Sequence, residues 1–360
     1  MFNIPFFKTA KRSVGIDIGT FSIKIVELSY SRNKVTLENY GEKVSQISDQ
    51  ELYKSLRRKA FFASDQEIAT IIKNILREAK INTKEAFLSI PDFMSFFTVF
   101  STPPIPREEV SSVVQFEARQ HIPLPLQEMT IDWSIIDEKL SPGQEKEKKG
   151  LRVLLVAVPN KAMERYEKIA NLAGIKIAGL EAEVFSLLRV AIKGNDLKKV
   201  IQLIDVGIQS TTITVIRNGI IISTYSIDFS ISEIIKHLAD TLGMSYNEAG
   251  MALKNQGLKE DTVDKVMKPK IDSLISESIR VANEFSRNEK KDVEKIILSG
   301  GSSLMPNFKE YFSNFTGKET QVIETFSEIS YPPALKDTIE EISPRYAIAT
   351  GLALRGIEKK

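Results

Sequence analysis

The sequence predicts an α/β protein made of two matched lobes, and three stretches predict it. In 13–29 an apolar strand ends in Asp-x-Gly, and a second alternating strand follows. The same order returns in 200–216. In 295–303 a buried strand ends in a pair of glycines. Because a unit that recurs in both halves of a chain indicates an internal duplication, we expect one hairpin unit in each lobe.

The first unit has the residue types of a phosphate-binding turn. Gly19 breaks the strand and lets backbone N–H groups approach a phosphate without a Cβ in the way. Thr20 and Ser22 add hydroxyls, and Lys24 adds a point charge that suits a phosphate. Asp17, at the strand end, is placed to hold a hydrated Mg²⁺ through water. An ordinary hairpin is the alternative interpretation of this stretch taken alone.

The second unit repeats these features. Its strand ends in Asp205 and Gly207, and the hydroxyls of Ser210 and Thr211 follow. Both units continue through a polar turn into a third strand, and the second of these turns contains Asn-Gly, a strong hairpin signal. Two such hairpins facing each other would clamp the phosphates of a nucleotide and its metal, with one aspartate from each hairpin at the metal.

The third stretch predicts a turn without side chains between a strand and a helix. Gly300 and Gly301 end the strand, and Ser302 follows them. Paired glycines would let a flat adenine or ribose lie against the backbone. An ordinary strand-to-helix turn is the alternative.

These three motifs resemble the first-phosphate, second-phosphate and adenosine motifs of the actin / Hsp70 / sugar-kinase ATPase superfamily. Segments 181–188 and 347–354 are similar to its two connecting helices. The resemblance implies a two-lobed, duplicated, ribonuclease-H-like fold of the actin and Hsp70 type with ATP and Mg²⁺ in the cleft. It implies a water-orienting carboxylate at Glu181, with Glu183 as the alternative register and a helix N-terminal carboxylate as the structural alternative. It also implies a ribose contact at Lys254, although the glycines usual before the preceding helix are absent here.

An inserted region narrows the resemblance to the PilM family of type IV pilus assembly proteins. The cell-division protein FtsA carries a related subdomain, called 1C, at the same place. Three features are closer to PilM than to FtsA. They are a Pro-rich loop at 102–106, an acidic helix that ends in Ile-Pro-x-Pro at 117–126, and an Asp-Trp pair at 132–133.

The resemblance also implies an arrangement of subdomains. We expect a leader at 1–12, subdomain 1A at 13–83 and 161–200, subdomain 1C at 84–160, subdomain 2A at 201–228 and 288–345, subdomain 2B at 229–287, and a C-terminal helix at 346–360 that returns to the first lobe.

The resemblance to PilM implies an ATP-binding scaffold of the inner-membrane assembly platform of type IV pili or type II secretion-like machines. Its implied partners are the cytoplasmic N-terminal tail of PilN, in a groove beside 1C, and other platform and motor proteins; self-association is a further expectation. Two alternatives remain: an FtsA-like membrane tether, for which the C-terminal segment is too short, and a small-molecule kinase, for which no acidic base or larger substrate insertion is found. We expect ATP hydrolysis to be slow or absent.

Composition limits the remaining classes. Among 360 residues the net charge is +2, so no overall charge favours nucleic acid or a membrane surface. The absence of cysteine excludes disulfides and thiol chemistry, and the histidines, His121 and His237, stand too far apart in sequence to favour a histidine metal site. No apolar run approaches the roughly 20 residues of a membrane span, and the N-terminus lacks a signal-peptide pattern. We therefore expect a cytoplasmic protein that meets the inner membrane only indirectly, through partners.

Overall fold

The computed structural model describes residues 11–44, 63–136, 150–259 and 262–357. Residues 1–10 of the predicted leader and residues 358–360 of the predicted C-terminal helix lie outside these ranges, as do residues 45–62, 137–149 and 260–261. The described residues form thirteen strands: β1 Lys11–Ile18, β2 Ser22–Ser31, β3 Lys34–Val44, β4 Glu85–Ile90, β5 Phe96–Ser101, β6 Met129–Ile135, β7 Arg152–Pro159, β8 Lys176–Ala182, β9 Val200–Val206, β10 Thr211–Arg217, β11 Ile220–Ile227, β12 Lys295–Ser299 and β13 Glu319–Val322.

The same ranges contain ten α-helices: α1 Asp65–Glu78, α2 Val110–His121, α3 Asn160–Ala173, α4 Glu183–Ala191, α5 Ile231–Leu242, α6 Tyr246–Asn255, α7 Thr262–Glu289, α8 Phe308–Thr316, α9 Lys336–Ile342 and α10 Ala347–Ile357. None of these helices is both long and apolar enough to cross a membrane.

Two five-stranded sheets have the same topology, one in each lobe. The first has the order β3-β2-β1-β4-β8 and the second the order β11-β10-β9-β12-β13. In each, three antiparallel strands from one hairpin unit are followed by two strands that pair in parallel. This matched pair of sheets is the duplication that the sequence predicts.

Several element boundaries differ from the sequence-based expectation. The sequence favours Asp65 as the N-cap of α1, but the N-cap is Ser64, because Ser64 and Glu67 form a reciprocal capping box. The predicted connecting helix at 181–188 begins two residues later, at Glu183, because Glu181 still lies in β8. The apolar pattern predicts a helix at 270–287, whereas α7 begins at Thr262 and continues through Pro269, because its apolar stripe packs on the core of the second lobe. The proline and serine residues of 312–342 favour loop and short strand, but this stretch also contains helical turns in α8 and α9.

The inserted region forms a small sheet of its own with the order β5-β7-β6, and α2 packs on it. It also contacts the second lobe. Glu289, at the end of α7, accepts hydrogen bonds from Arg152 of β7 at 3.0 Å and from Arg217 of β10 at 2.6 Å. Beside this ion triad, Leu154 and Ile221 share one buried apolar cluster. The inserted sheet, which branches from the first lobe, is therefore also held by contacts with the second lobe.

Helices α4 and α10 cross at a glycine. A Cβ on Gly351 would lie 2.1 Å from the Ser186 carbonyl oxygen, which is closer than real Cβ contacts allow. The Gly351 carbonyl in turn accepts a hydrogen bond from Arg189 of α4 at 3.0 Å. The backbones of α4 and α10 are in direct contact at Gly351, so no side chain fits at that position.

We expect Gly351→Ala to destabilise the protein by about 1–3 kcal/mol, because the added methyl group forces the two helices apart. Gly250→Ala is the matched control, since a Cβ on Gly250 would meet Ile235 at an ordinary 3.9 Å. The control is expected to be neutral or slightly stabilising, because alanine is the better helix former. Chemical denaturation of both variants measures the difference, and equal stabilities would contradict the close crossing.

Candidate functional site

A row of alternating charges crosses the first sheet at the end of its hairpin. Asp17 of β1 stands opposite Lys24 of β2, which stands opposite Glu42 of β3. The Lys24 Nζ lies 3.7 Å from Oδ2 of Asp17, and the Ser89 hydroxyl donates to Oδ1 at 3.2 Å. Burial raises the pKa of Asp17, and Lys24 opposes that rise. The structure thus brings the predicted acid and the predicted lysine together.

The two hairpin turns have the same hydrogen bonds. The N–H of Gly19 donates to the Ser22 carbonyl at 3.1 Å, and the N–H of Gly207 donates to the Ser210 carbonyl at 3.0 Å. A Cβ would lie 2.9 Å from the first acceptor and 2.6 Å from the second. Both turns therefore need glycine. Each glycine N–H is used inside its own turn, so the phosphate donors that we expect here must come from other groups of the turns.

The hydroxyls predicted in the two turns differ in their surroundings. Ser22 and Thr211 are buried, whereas Thr20 and Ser210 are half-buried. Among the described residues, the Thr211 hydroxyl is buried without a hydrogen-bond partner. A buried hydroxyl without a partner costs free energy unless a ligand or water satisfies it.

Four carboxyl groups meet where the two lobes face each other, those of Asp17 and Asp92 buried and those of Asp205 and Glu183 half-buried. Asp17 comes from the first hairpin, Asp205 from the second, Asp92 from the end of β4, and Glu183 from the start of α4. Burial and the charges of the other three raise the pKa of Glu183 well above its usual value. Burial and the charge of Asp17 raise the pKa of Asp205 to about 6. The site is thus strongly acidic, with Lys24 as the cation ion-paired to it in the described part of the chain.

Asp92 is a site residue that the sequence pattern did not reveal. Its Oδ1 accepts a hydrogen bond from the Val184 N–H at 3.1 Å, while its own N–H donates to Oε2 of Glu183 at 3.3 Å. It therefore caps α4, whose own N-cap residue makes no side-chain bond. An available signal was its position directly after a buried strand, since β4 runs parallel to β1 and ends at the same edge.

Glu181 does not face these carboxyl groups. Its carboxylate accepts hydrogen bonds from Arg189 at 2.8 Å and from Ser186 at 2.5 Å, and it lies 3.1 Å from Arg355 of α10. Glu181 therefore ties α4 to α10. The alternative register, Glu183, is the one that reaches the cleft, because β8 extends through Ala182 and the helix starts one residue later.

The glycine turn after β12 lies directly on the second hairpin. Gly300 has φ of 86°, and a Cβ there would stand 2.5 Å from the Val206 carbonyl and 3.3 Å from Oδ1 of Asp205. The side of Gly301 where a Cβ would project is covered by the stem of Arg345, at 3.0 Å. The turn is thus close to the acidic cluster, but this side of Gly301 is not bare. Ser302, next along, is half-buried.

Lys254 is exposed on α6. Its Nζ lies 3.9 Å from Oε1 of Glu341, which is also exposed. Its predicted contact with a ribose stays a prediction.

Among the described residues, the two hairpin aspartates are the side chains whose positions suit a hydrated Mg²⁺. The described residues contain no group of three or more side chains close enough to hold a metal ion by themselves. Asp17 and Asp205 nevertheless approach from opposite lobes, and each adjoins a turn that only glycine fits. Carboxylates that bind a hydrated Mg²⁺ through water, next to turns that admit phosphate, suit a metal that arrives with a polyphosphate.

Comparisons with known proteins support this fold. The family model described as type IV pilus assembly protein PilM matches residues 15–357. A structure of the PilM-PilN type IV pilus biogenesis complex aligns with a TM-score of 0.81 at 21% identity, over 96% of this chain and 99% of that chain. The ethanolamine utilization protein EutJ from Carboxydothermus hydrogenoformans aligns with a TM-score of 0.55 at 17% identity, over 95% and 89% respectively. Together with the matched sheets, these likenesses confirm the expected actin-like, two-lobed fold.

Proposed function

Because this chain belongs to the PilM family of type IV pilus assembly proteins, we propose that it is an ATP-binding scaffold of the pilus inner-membrane assembly platform. The observation that carries the proposal is the pair of matching glycine turns, which bring Asp17 and Asp205 from different lobes to one acidic cleft. A ligand held by both turns binds the closed arrangement of the lobes best, and so favours closure.

The nucleotide would use residues of both lobes. Asp17 and Asp205 would hold Mg²⁺ through water, and Lys24 would pair with a phosphate. The unsatisfied hydroxyl of Thr211 is a candidate phosphate donor. Glu183, rather than Glu181, would orient a water molecule beside the terminal phosphate. Bound Mg²⁺·ATP would supply the cross-link between the lobes, and hydrolysis is expected to be slow or absent.

The proposed partner is PilN. The PilM-PilN complex is a solved structure whose matched chain is covered almost completely by this one. We place the cytoplasmic N-terminal tail of PilN beside the inserted sheet, as the resemblance of that region implies. Docking of other platform and motor proteins and self-association belong to the same proposal, and so does a position at the inner membrane that is reached through partners. The division-tether and kinase alternatives have no observation in their favour.

We expect Asp17→Ala and Asp205→Ala each to weaken Mg²⁺·ATP binding at least tenfold, about 1.4 kcal/mol, because each removes a carboxylate that would hold the metal. Isothermal titration calorimetry on the purified protein measures the affinity. Asp240→Ala is the control, since its exposed carboxylate pairs only with Lys236 on α5 in the described contacts. Unchanged affinity in both cleft variants would remove the phosphate-clamp assignment.

The partner proposal is tested separately, by fluorescence anisotropy of a labelled peptide with the sequence of the PilN cytoplasmic tail. We expect saturable binding, and a different affinity with Mg²⁺·ATP present. Absence of binding under both conditions would contradict the proposed partner and leave the nucleotide site unaffected.

A further inference from the structure

Arg345 connects the two sides of the cleft. It lies in the short turn before α10, and its aliphatic stem covers Gly301 in the turn of the second lobe. Its guanidinium reaches the first sheet, where Nη1 lies 3.2 Å from Oε2 of Glu42. The side chain of Arg345 is 34% exposed and that of Glu42 is 15% exposed. The pair therefore stands at the edge of the site, where it can exchange partners.

Glu42 continues the charge row of the first hairpin. It is opposite Lys24 in the register of β2 and β3, and Lys24 is paired with Asp17. The charge of Glu42 also contributes to the raised pKa of Asp17, which follows first from burial. Arg345 is thus the last member of a row that runs acid, base, acid, base from the cleft to the glycine turn.

The cleft has more acidic than basic side chains, so a cation such as the Arg345 guanidinium would be favourable there. Of the four carboxyl groups, that of Asp17 pairs with Lys24, and no other basic side chain forms an ion pair with any of the four in the described ranges. A magnesium-bound triphosphate still carries net negative charge, and one lysine compensates little of it. A guanidinium offers a planar fork of donors that suits phosphate oxygens.

We propose that Arg345 is a second phosphate ligand of the nucleotide site, and that Glu42 is its resting counter-ion, released when phosphate binds. The inference rests on the proposed function, because it adds a residue to the same site. The proposal predicts that Arg345 and Glu42 have opposite effects on the affinity for the nucleotide. Arg345 favours binding, whereas Glu42 opposes it by competing for the guanidinium and by repelling the phosphates.

The test measures affinities for ATP, ADP and inorganic tripolyphosphate, each with Mg²⁺, by calorimetry. We expect Arg345→Gln to weaken ATP and tripolyphosphate binding by about tenfold to a hundredfold, the usual range for a hydrogen bond to a charged group. We expect Arg345→Lys to recover part of the loss. Glu42→Gln is expected to tighten binding about threefold or more, and this gain is expected to vanish in the Arg345→Gln background.

The control is Lys336→Gln, which removes the same charge from an exposed position on α9 that pairs with Glu340. It is expected to leave all three affinities unchanged. Equal weakening by Arg345→Gln and Glu42→Gln would overturn the inference, because a purely structural ion pair predicts that result. Unchanged affinities in Arg345→Gln would overturn it while the proposed function stands. A wild-type protein that binds no nucleotide would overturn both.

Discussion

Glu181→Gln is expected to lower the free energy of unfolding by about 2–4 kcal/mol, because it leaves two arginines without their shared counter-ion. Arg189 and Arg355 both converge on this carboxylate, whose side chain is only 8% exposed. The expected value lies toward the lower part of the range for broken buried pairs, since Arg355 remains about a third exposed. Chemical denaturation, followed by circular dichroism, measures the change.

Glu183→Gln is the matched control, two residues away. Its carboxyl group lies among three others, and burial and their charges raise its pKa well above the usual value. A neutral amide therefore resembles the protonated group, and its oxygen can still accept the hydrogen bond from Asp92 N–H. We expect no loss of stability and a gain at neutral pH, because the amide does not have to take up a proton when the chain folds. A larger loss of stability in Glu183→Gln than in Glu181→Gln would contradict the assignment of Glu181 to the helix crossing and of Glu183 to the cleft.

These two residues show where sequence reasoning stops. The hairpins were predictable because each is local: an alternating strand, a glycine and another alternating strand. The choice between Glu181 and Glu183 depends on the residue at which β8 ends and α4 begins. Helix and strand boundaries are the least certain part of a sequence-based prediction, and a shift of two residues here moves a carboxylate from the helix crossing to the cleft.

Asp92 shows a second limit. Its partner Val184 lies 92 residues along the chain, so no local pattern connects them. The Pro91–Asp92 dipeptide separates β4 from β5, and its position after β4 does not by itself show which residues Asp92 meets. Only the parallel pairing of β1, β4 and β8 brings Asp92 to the edge that also holds Asp17. Local sequence does not reveal the role of Arg345 either, because its contacts, Glu42 and Gly301, lie in different lobes.

Asp92→Asn is expected to stabilise the protein at neutral and higher pH in the absence of divalent cations. Burial, and then the charge of Asp205, raise the pKa of Asp92 from 3.8 to about 7, against hydrogen bonds from Val184 and Thr212 that lower it. Between these values the folded state keeps a proton that the unfolded chain has released. Wild-type stability therefore falls as pH rises through this window, and the loss is complete above about pH 7.

The asparagine carries no charge at any pH in this range, and its oxygen can still cap the Val184 N–H. We expect the variant to match the wild type near pH 4 and to exceed it by about 2–4 kcal/mol near pH 8, because each tenfold change in the ionisation equilibrium corresponds to about 1.4 kcal/mol. Urea denaturation between pH 4 and 8, with EDTA present, gives both profiles. Asp240→Asn, on an exposed helix face, is expected to follow the wild type. Parallel profiles for Asp92→Asn and the wild type would show that this carboxyl group is not destabilised by its neighbours, and that the four acids do not form one electrostatic cluster.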